Sequence, residues 1–170
     1  GFIMAIYFAN SELGDAIGET WRITSSFNGD ANPVVNWERA DQTGGGSNYS
    51  VLNESSGIFT FNQTGWYHCT WWMYISGNVN SGWNEMSLYL SWNNGGNWQM
   101  YQYAQGFLAS GQQRYTTNTT AHTFSIPAIS GSGTRKIKFG INQSADGSVS
   151  TAGSSSQSHT GFTIVKIADQ

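Results

Sequence analysis

The sequence has little charge: seven Lys and Arg and ten Asp and Glu in 170 residues, a net charge of −3. It therefore lacks the basic stripe that neutralises phosphates in nucleic-acid-binding proteins. A basic patch for binding a membrane surface is missing for the same reason. No apolar run reaches the roughly 18 residues that a membrane-spanning helix needs. We expect neither a nucleic-acid partner nor a membrane span.

A single cysteine, Cys69, excludes a disulfide within the chain. The residue falls on the apolar side of a predicted strand, which favours a buried structural thiol over a nucleophile. The histidines, His68, His122 and His159, are widely separated in sequence and have no metal-ligand spacing. The carboxylates are scattered, and no phosphate-binding glycine pattern occurs. The sequence thus predicts a non-enzyme without a metal or cofactor.

Aromatic residues, in contrast, are abundant, with 8 Trp, 8 Tyr and 9 Phe. The most informative stretch predicts strands at 57–61 and 66–75, joined by a tight turn at 62–65. In the second strand, alternate residues form an unbroken apolar face: Tyr67, Cys69, Trp71, Met73 and Ile75. The opposite face consists of Trp66, His68, Thr70, Trp72 and Tyr74, and three of these residues carry large aromatic rings. A solvated strand face is normally polar, so this strand is expected to be covered on both sides.

The remaining strand signals recur at the spacing of an all-β sandwich. They lie at 20–27, 33–39, 85–92, 98–103, 119–129, 135–142 and 161–168. A hairpin turn is predicted at 93–96 and a long loop at 144–158. No segment has a helical period. The prediction is one antiparallel β-sandwich domain, residues 20–170, preceded by an arm, residues 1–19.

The arm contains an apolar segment with Phe2, Ile3, Ile6 and Phe8. One interpretation is an additional edge strand of the sandwich. The other is an anchoring arm that docks on a neighbouring subunit or a carrier surface.

Three motifs lie close together in the sequence: Tyr49, Ser-Gly-Ile-Phe-Thr at 56–60 and Thr-Gly-Trp-Tyr-His-Cys at 64–69. They resemble the central block of a known family, the globular head of complement component one-q, within the tumour-necrosis-factor-like jelly rolls. Its early strand resembles Asn-Pro-Val-Val-Asn-Trp at 32–37, and its final motif resembles 158–164. Its Leu-x-Leu strand is matched loosely at 124–126. The sequence departs from the family at 130–133 and at Cys69, where the family has Phe, and residues 1–19 contain no collagen-like Gly-x-y repeat.

The resemblance implies a ten-stranded jelly roll that assembles as a homotrimer. It agrees with the expectation that the strand at 66–75 is covered on both sides, because other subunits would then contact its outer residues, Trp66, His68, Trp72 and Tyr74. His159 occupies the position of a family Phe and is expected near the three-fold axis. There it is either a packing residue, which we favour, or a pH sensor.

The turn around 93–96 offers a different kind of site. Trp83, Trp92 and Trp98 lie near it in sequence, and indole faces together with Asn amides suit sugar binding. The alternative, which we favour, places Trp92 on the core face with Trp98 as its cross-strand partner.

Two functional hypotheses follow. The first is a virion structural protein, a homotrimer that decorates a capsid or forms a fibre head and contacts other capsid proteins. It would lie on the virion surface and be attached through its N-terminal arm. The second is a secreted carbohydrate-binding module or adhesin that contacts surface glycans through its Trp residues.

Overall fold

A computed structural model describes residues 18–40, 50–77, 82–108, 114–143 and 149–170. Their regular structure is all β, and these ranges contain no helix. The twelve strands found there are β1 (Gly18–Ile23), β2 (Ser25–Asn28), β3 (Trp37–Arg39), β4 (Leu52–Ser55), β5 (Ile58–Phe61), β6 (Gly65–Gly77), β7 (Gly82–Ser91), β8 (Gln99–Leu108), β9 (Arg114–Ile126), β10 (Lys136–Gln143), β11 (Val149–Ser154) and β12 (Gly161–Ala168). The all-β prediction is confirmed.

Two antiparallel sheets enclose one core. The seven-stranded sheet has the order β2-β11-β6-β12-β1-β3, with β9 on the other edge of β6. The five-stranded sheet has the order β4-β5-β10-β7-β8. Strand β6 bonds to β9 on one side and to both β12 and β11 on the other. The predicted antiparallel β-sandwich is therefore present.

The predicted inner face of β6 is fully buried. Tyr67, Cys69, Trp71, Met73 and Ile75 each have 0% exposure. Because side chains alternate along a strand, burying these five commits the intervening residues to the outer surface of the sheet. The alternation of β6 thus determines both the core and the opposite face.

Phe59 of β5 lies at the centre of an aromatic cluster that joins the two sheets. Its ring centroid is 4.9 Å from that of Phe162 and 5.2 Å from that of Trp21, both edge to face. Trp37 and Phe139 complete the cluster, at 5.6 and 6.3 Å. Edge-to-face pairs add to the stabilisation that burying the rings provides.

Two tight turns rely on left-handed backbone conformations. Ser56 and Gly57, with φ of 52° and 81°, connect β4 to β5. Asn94 and Gly95, with φ of 59° and 93°, lie in the predicted hairpin turn between β7 and β8. Asn and Gly are the residues that adopt this region most readily, so the turn signals were informative.

Several boundaries differ from the sequence prediction. The strand expected at 20–27 divides at Thr24, because β1 pairs with β12 and β3, whereas β2 pairs with β11. The strand expected at 33–39 covers only Trp37–Arg39, after Asn36 with a φ of 62°. The loop expected at 144–158 contains β11. The strand β4, at Leu52–Ser55, was not predicted either. With β2, β4 and β11 added to the nine predicted strands, the described strands number twelve, where the resemblance implied ten.

Residues 1–17 of the predicted arm (1–19) lie outside the described residues. They include Phe2, Ile3, Ile6 and Phe8. Gly18 and Glu19 belong to β1, so the sandwich begins two residues earlier than expected. The carboxylate of Glu19 is buried and accepts hydrogen bonds from Trp21 Nε1 and from the backbone N–H of Val51.

Replacing Phe59 with Ala is expected to lower the free energy of unfolding by about 3–5 kcal/mol, since it removes the ring shared by both sheets. Thr60→Ala, at the adjacent half-buried position, is the control and should change it by less than about 1 kcal/mol. Denaturant titration measures both. Equal effects of the two substitutions would show that the cluster does not hold the sheets together.

Candidate interaction face

The outer side of the seven-stranded sheet carries the residues that the sequence singled out. Strand pairing places the outward residues of β6 beside those of β9 and β12. We call this surface the aromatic face. It consists of Trp66, His68, Thr70, Trp72, Tyr74, Tyr115, Thr117, Thr119, Ala121, Thr123, His159, Thr163 and Val165.

One group of rings lies at the β11 end of this face. Tyr74 stacks on Tyr115 of β9, with centroids 5.8 Å apart and planes 20° apart. His159, in the loop before β12, lies 5.5 Å from Tyr74 on its other side. The Nε2 atom of His159 is 2.7 Å from Gln157 Oε1. The loop ahead of β12 thus brings His159 to the residues with which the sequence grouped it.

The two tryptophans of this face differ in their surroundings. Trp72 is half-buried, and its Nε1 donates a 3.0 Å hydrogen bond to the carbonyl of Ser158. Trp66, near the other end of β6, is 44% exposed. Fully exposing a ring of this size forgoes on the order of 2–3 kcal/mol of burial, and Trp66 forgoes part of that. Of the two tryptophans, Trp66 is therefore the one that gains more from an additional covering.

His68 lies between two hydroxyl groups. Its Nδ1 is 2.9 Å from Thr123 Oγ1 on β9, and its Nε2 is 3.3 Å from Thr70 Oγ1. No ion pair involving His68 occurs in the described part of the chain. The ring is thus held in a fixed orientation by neutral partners.

The centre of the aromatic face is flat and uncharged. Strand β6 contains no Asp, Glu, Lys or Arg, and neither does β9 after its first residue. The outward positions of β9 are small, with Thr117, Thr119, Ala121 and Thr123 in succession, and all four are exposed. On the adjacent strands, Thr20 and Thr163 contact through their hydroxyls at 2.9 Å. Small neutral side chains allow another protein surface to approach closely.

The sequence prediction found the β6 half of this face and missed the β9 half. Strand β9 begins at Arg114, five residues before the predicted start at 119, and it ends at Ile126 before Pro127. The signal was the alternation of Thr from 117 to 123. It was weak because this segment is polar on both sides until Phe124.

The three tryptophans proposed for sugar binding do not form one platform. Trp83 is opposite Phe107, at the far end of β7 from the 93–96 turn. Trp92 packs partly against the core, 5.3 Å from Tyr101 and 4.3 Å from the guanidinium of Arg135. Trp98 lies 4.7 Å from Lys138 Nζ. The expected ring contact between Trp92 and Trp98 is replaced by the one between Trp92 and Tyr101.

Reactive groups are buried or isolated in the described residues. Burial raises the pKa of the Cys69 thiol and therefore disfavours its nucleophilic thiolate form. Burial, aided by Asp169 and Glu19, raises the pKa of Tyr67 to about 12. Among the residues that the structure describes, no three His, Cys, Asp or Glu side chains are grouped to hold a metal ion. These same ranges include no helix long and apolar enough to cross a membrane.

Known structures share this fold. Eiger TNF from S. frugiperda superposes with a TM-score of 0.67 at 14% identity, covering 91% of this chain and 94% of that one. Murine APRIL at pH 5.0 gives a TM-score of 0.60 at 14% identity, over 88% of this chain and 98% of that one. A second murine APRIL structure, at pH 8.5, gives 0.52 at 14% identity, over 88% and 99%. No family model or curated protein matches the sequence.

The chain therefore has a jelly roll of the tumour-necrosis-factor-like type. At this level of identity the likeness shows the fold alone. The narrower resemblance to the complement one-q head and the viral assignment stay predictions.

Proposed function

We propose that the protein is a non-enzymatic, homotrimeric jelly-roll module, displayed on a particle and assembled through its aromatic face. The observation that carries this proposal is the outer side of β6, where an uncharged strand presents Trp66, Trp72 and Tyr74 outward. Aromatic rings are enriched at protein–protein interfaces relative to the rest of the surface, so rings on an outward strand face indicate an interaction site. The resemblance to trimeric jelly rolls supports three copies.

The geometry of a three-fold ring suits the two halves of this face. Each subunit in such a ring uses two different surfaces, one for each neighbour. The aromatic strip of β6 supplies rings, and the Thr117–Thr123 row of β9 supplies a flat edge of small side chains. Pairing the strip of one subunit with the row of the next would bury Trp66 without placing a charge in the interface.

The aromatic face has few charges at its border as well. Arg22 and Glu38, on β1 and β3, form a 2.8 Å ion pair in which the Arg22 side chain is nearly buried. This pair lies on the far side of β12 from β6. Assembly driven by the central rings would therefore depend only weakly on salt.

The carrier we favour is a virion, with the trimer decorating a capsid or forming a fibre head. Support comes from analogy with other jelly rolls of this type, from the low charge of the chain and from the apolar segment containing Phe2 and Phe8. In this proposal the segment fastens the trimer to other capsid proteins. A secreted glycan-binding module using all three tryptophans is disfavoured, because Trp83 lies apart from Trp92 and Trp98.

Ala121→Arg is expected to convert the trimer to a monomer. Ala121 is exposed in the lone subunit, so an arginine fits there, but in the assembly it would place an unpaired charge inside the interface. Light scattering coupled to gel filtration measures the mass. Gln105→Arg, at an exposed position of β8, introduces the same side chain on the other sheet and should remain trimeric. A monomeric wild type, or a trimeric Ala121→Arg, contradicts the proposal.

Removing residues 1–17 tests the attachment separately. The truncation stops before β1, because Glu19 is part of the buried structure. The shortened protein should remain a trimer and lose its association with capsids in co-sedimentation. Capsid binding that survives the truncation would refute the anchoring role and leave the trimer untouched.

A further inference from the structure

The outer face of the five-stranded sheet carries a concentration of positive charge. Lys136 and Lys138 of β10 supply two of the seven Lys and Arg of the chain within three residues. Arg135, the residue before them, has a structural role, because its Nη1 donates a hydrogen bond to the carbonyl of Ser125 and its guanidinium lies over the ring of Trp92. Lys136 and Lys138 point outward from β10, about 7 Å apart along the strand. Neither forms an ion pair within the described residues.

Two aromatic rings flank Lys138, and the hairpin turn that carries exposed amides lies beside the start of β10. Lys138 Nζ lies 4.7 Å from the centroid of Trp98 and 5.3 Å from that of Tyr89. The hairpin turn folds over the start of β10, where the backbone N–H of Asn94 donates a 2.8 Å bond to the carbonyl of Thr134. Asn94 and Asn97 are exposed on this turn. Charge, ring and amide groups are thus brought together by elements that are separate in sequence.

The arrangement is rigid. The backbone N–H of Gly95 donates to Ser91 Oγ at 2.8 Å, and that of Asn97 donates to Asn93 Oδ1 at 2.7 Å. A turn fixed by its own hydrogen bonds loses little conformational freedom when a ligand binds.

The one carboxylate of the neighbouring strand β7 lies away from the two lysines. Glu85, the carboxylate on the same face of β7, is four residues from Tyr89, or about 13 Å along the strand. Its Oε1 accepts a hydrogen bond from Ser87. Burial lowers the pKa of Lys138, as expected for an ammonium that has lost water without gaining a counter-ion.

We infer that Lys136, Lys138, Trp98, Tyr89, Asn94 and Asn97 form a binding site for an acidic saccharide. The ammonium groups would bind a carboxylate or sulfate, the indole would pack against the sugar ring, and the amides would bond to its hydroxyls. Two lysines on a chain of net charge −3 suit a ligand with one or two acidic groups. They do not suit the dense charge of a nucleic acid or an anionic membrane.

The test uses an oligosaccharide of two sugars that carries one sulfate and one uronate, and the same oligosaccharide after desulfation and carboxyl reduction. Calorimetry on the full chain should detect binding of the acidic form, with tighter binding at low salt, and no binding of the neutral form.

Lys138→Gln should weaken binding of the acidic form at least about tenfold, since it removes a charge-assisted hydrogen bond. Lys166→Gln is the matched control: it removes the same charge from β12, where Lys166 pairs with Asp169 at 2.6 Å. It should bind like the wild type.

Four outcomes would overturn the assignment. They are absence of binding, equal binding of the neutral oligosaccharide, equal weakening by Lys138→Gln and Lys166→Gln, and equal binding of an acidic peptide of the same charge. The site is on the opposite sheet from the aromatic face. Binding by Ala121→Arg should therefore equal that of the wild type, and failure of this site leaves the trimer proposal unaffected.

Discussion

The alternation of side chains along β6 constrains the whole molecule. The strand lies inside the seven-stranded sheet, so neither of its edges is free and its residues can only point inward or outward. Five inward residues fill the core, and this leaves Trp66, Trp72 and Tyr74 on the outside. A shift of register by one residue would exchange the two sets and expose Trp71 and Met73. The core face therefore fixes the register of the strand, and this register in turn places Trp66, Trp72 and Tyr74 on the outer side of the sheet.

The outer faces of the two sheets differ in chemistry, because the residues that alternate with the core residues along their strands are of different types. On β6 and β9 the alternate residues are aromatic, Thr or Ala, which suit close contact with another neutral surface. On β10 they include Lys136 and Lys138, whose charge suits contact with an anion. In our proposals the first face serves self-assembly and the second, on the opposite sheet, binds a ligand.

Much of the fold could be predicted from the sequence. The period-two patterns at 66–75 and 161–168 identified β6 and β12, and the Asn-Gly signal identified the β7–β8 turn. Strand β9 was only half found, because its residues from Thr116 to Thr120 are polar on both faces of the sheet. The site was predicted only in part. The outward rings of β6 stood out in the sequence because a solvated strand face is normally polar, whereas Tyr115 was identified only from its stacking on Tyr74 in the structure. The proximity of Lys138 to Trp98 depends on pairing between β10 and β7 and on the fold of the turn, which no local pattern encodes.

The central claim, that the outer rings of β6 are covered by other copies of the chain, is tested most directly by hydroxyl-radical footprinting of the unmodified protein. Trp66 and Trp83 provide an internal comparison, since they are 44% and 38% exposed in the single subunit. If three copies meet on the aromatic face, Trp66 should be oxidised several-fold more slowly than Trp83, and dilution below the assembly concentration should remove the difference. Equal oxidation of the two tryptophans at high protein concentration would contradict the account.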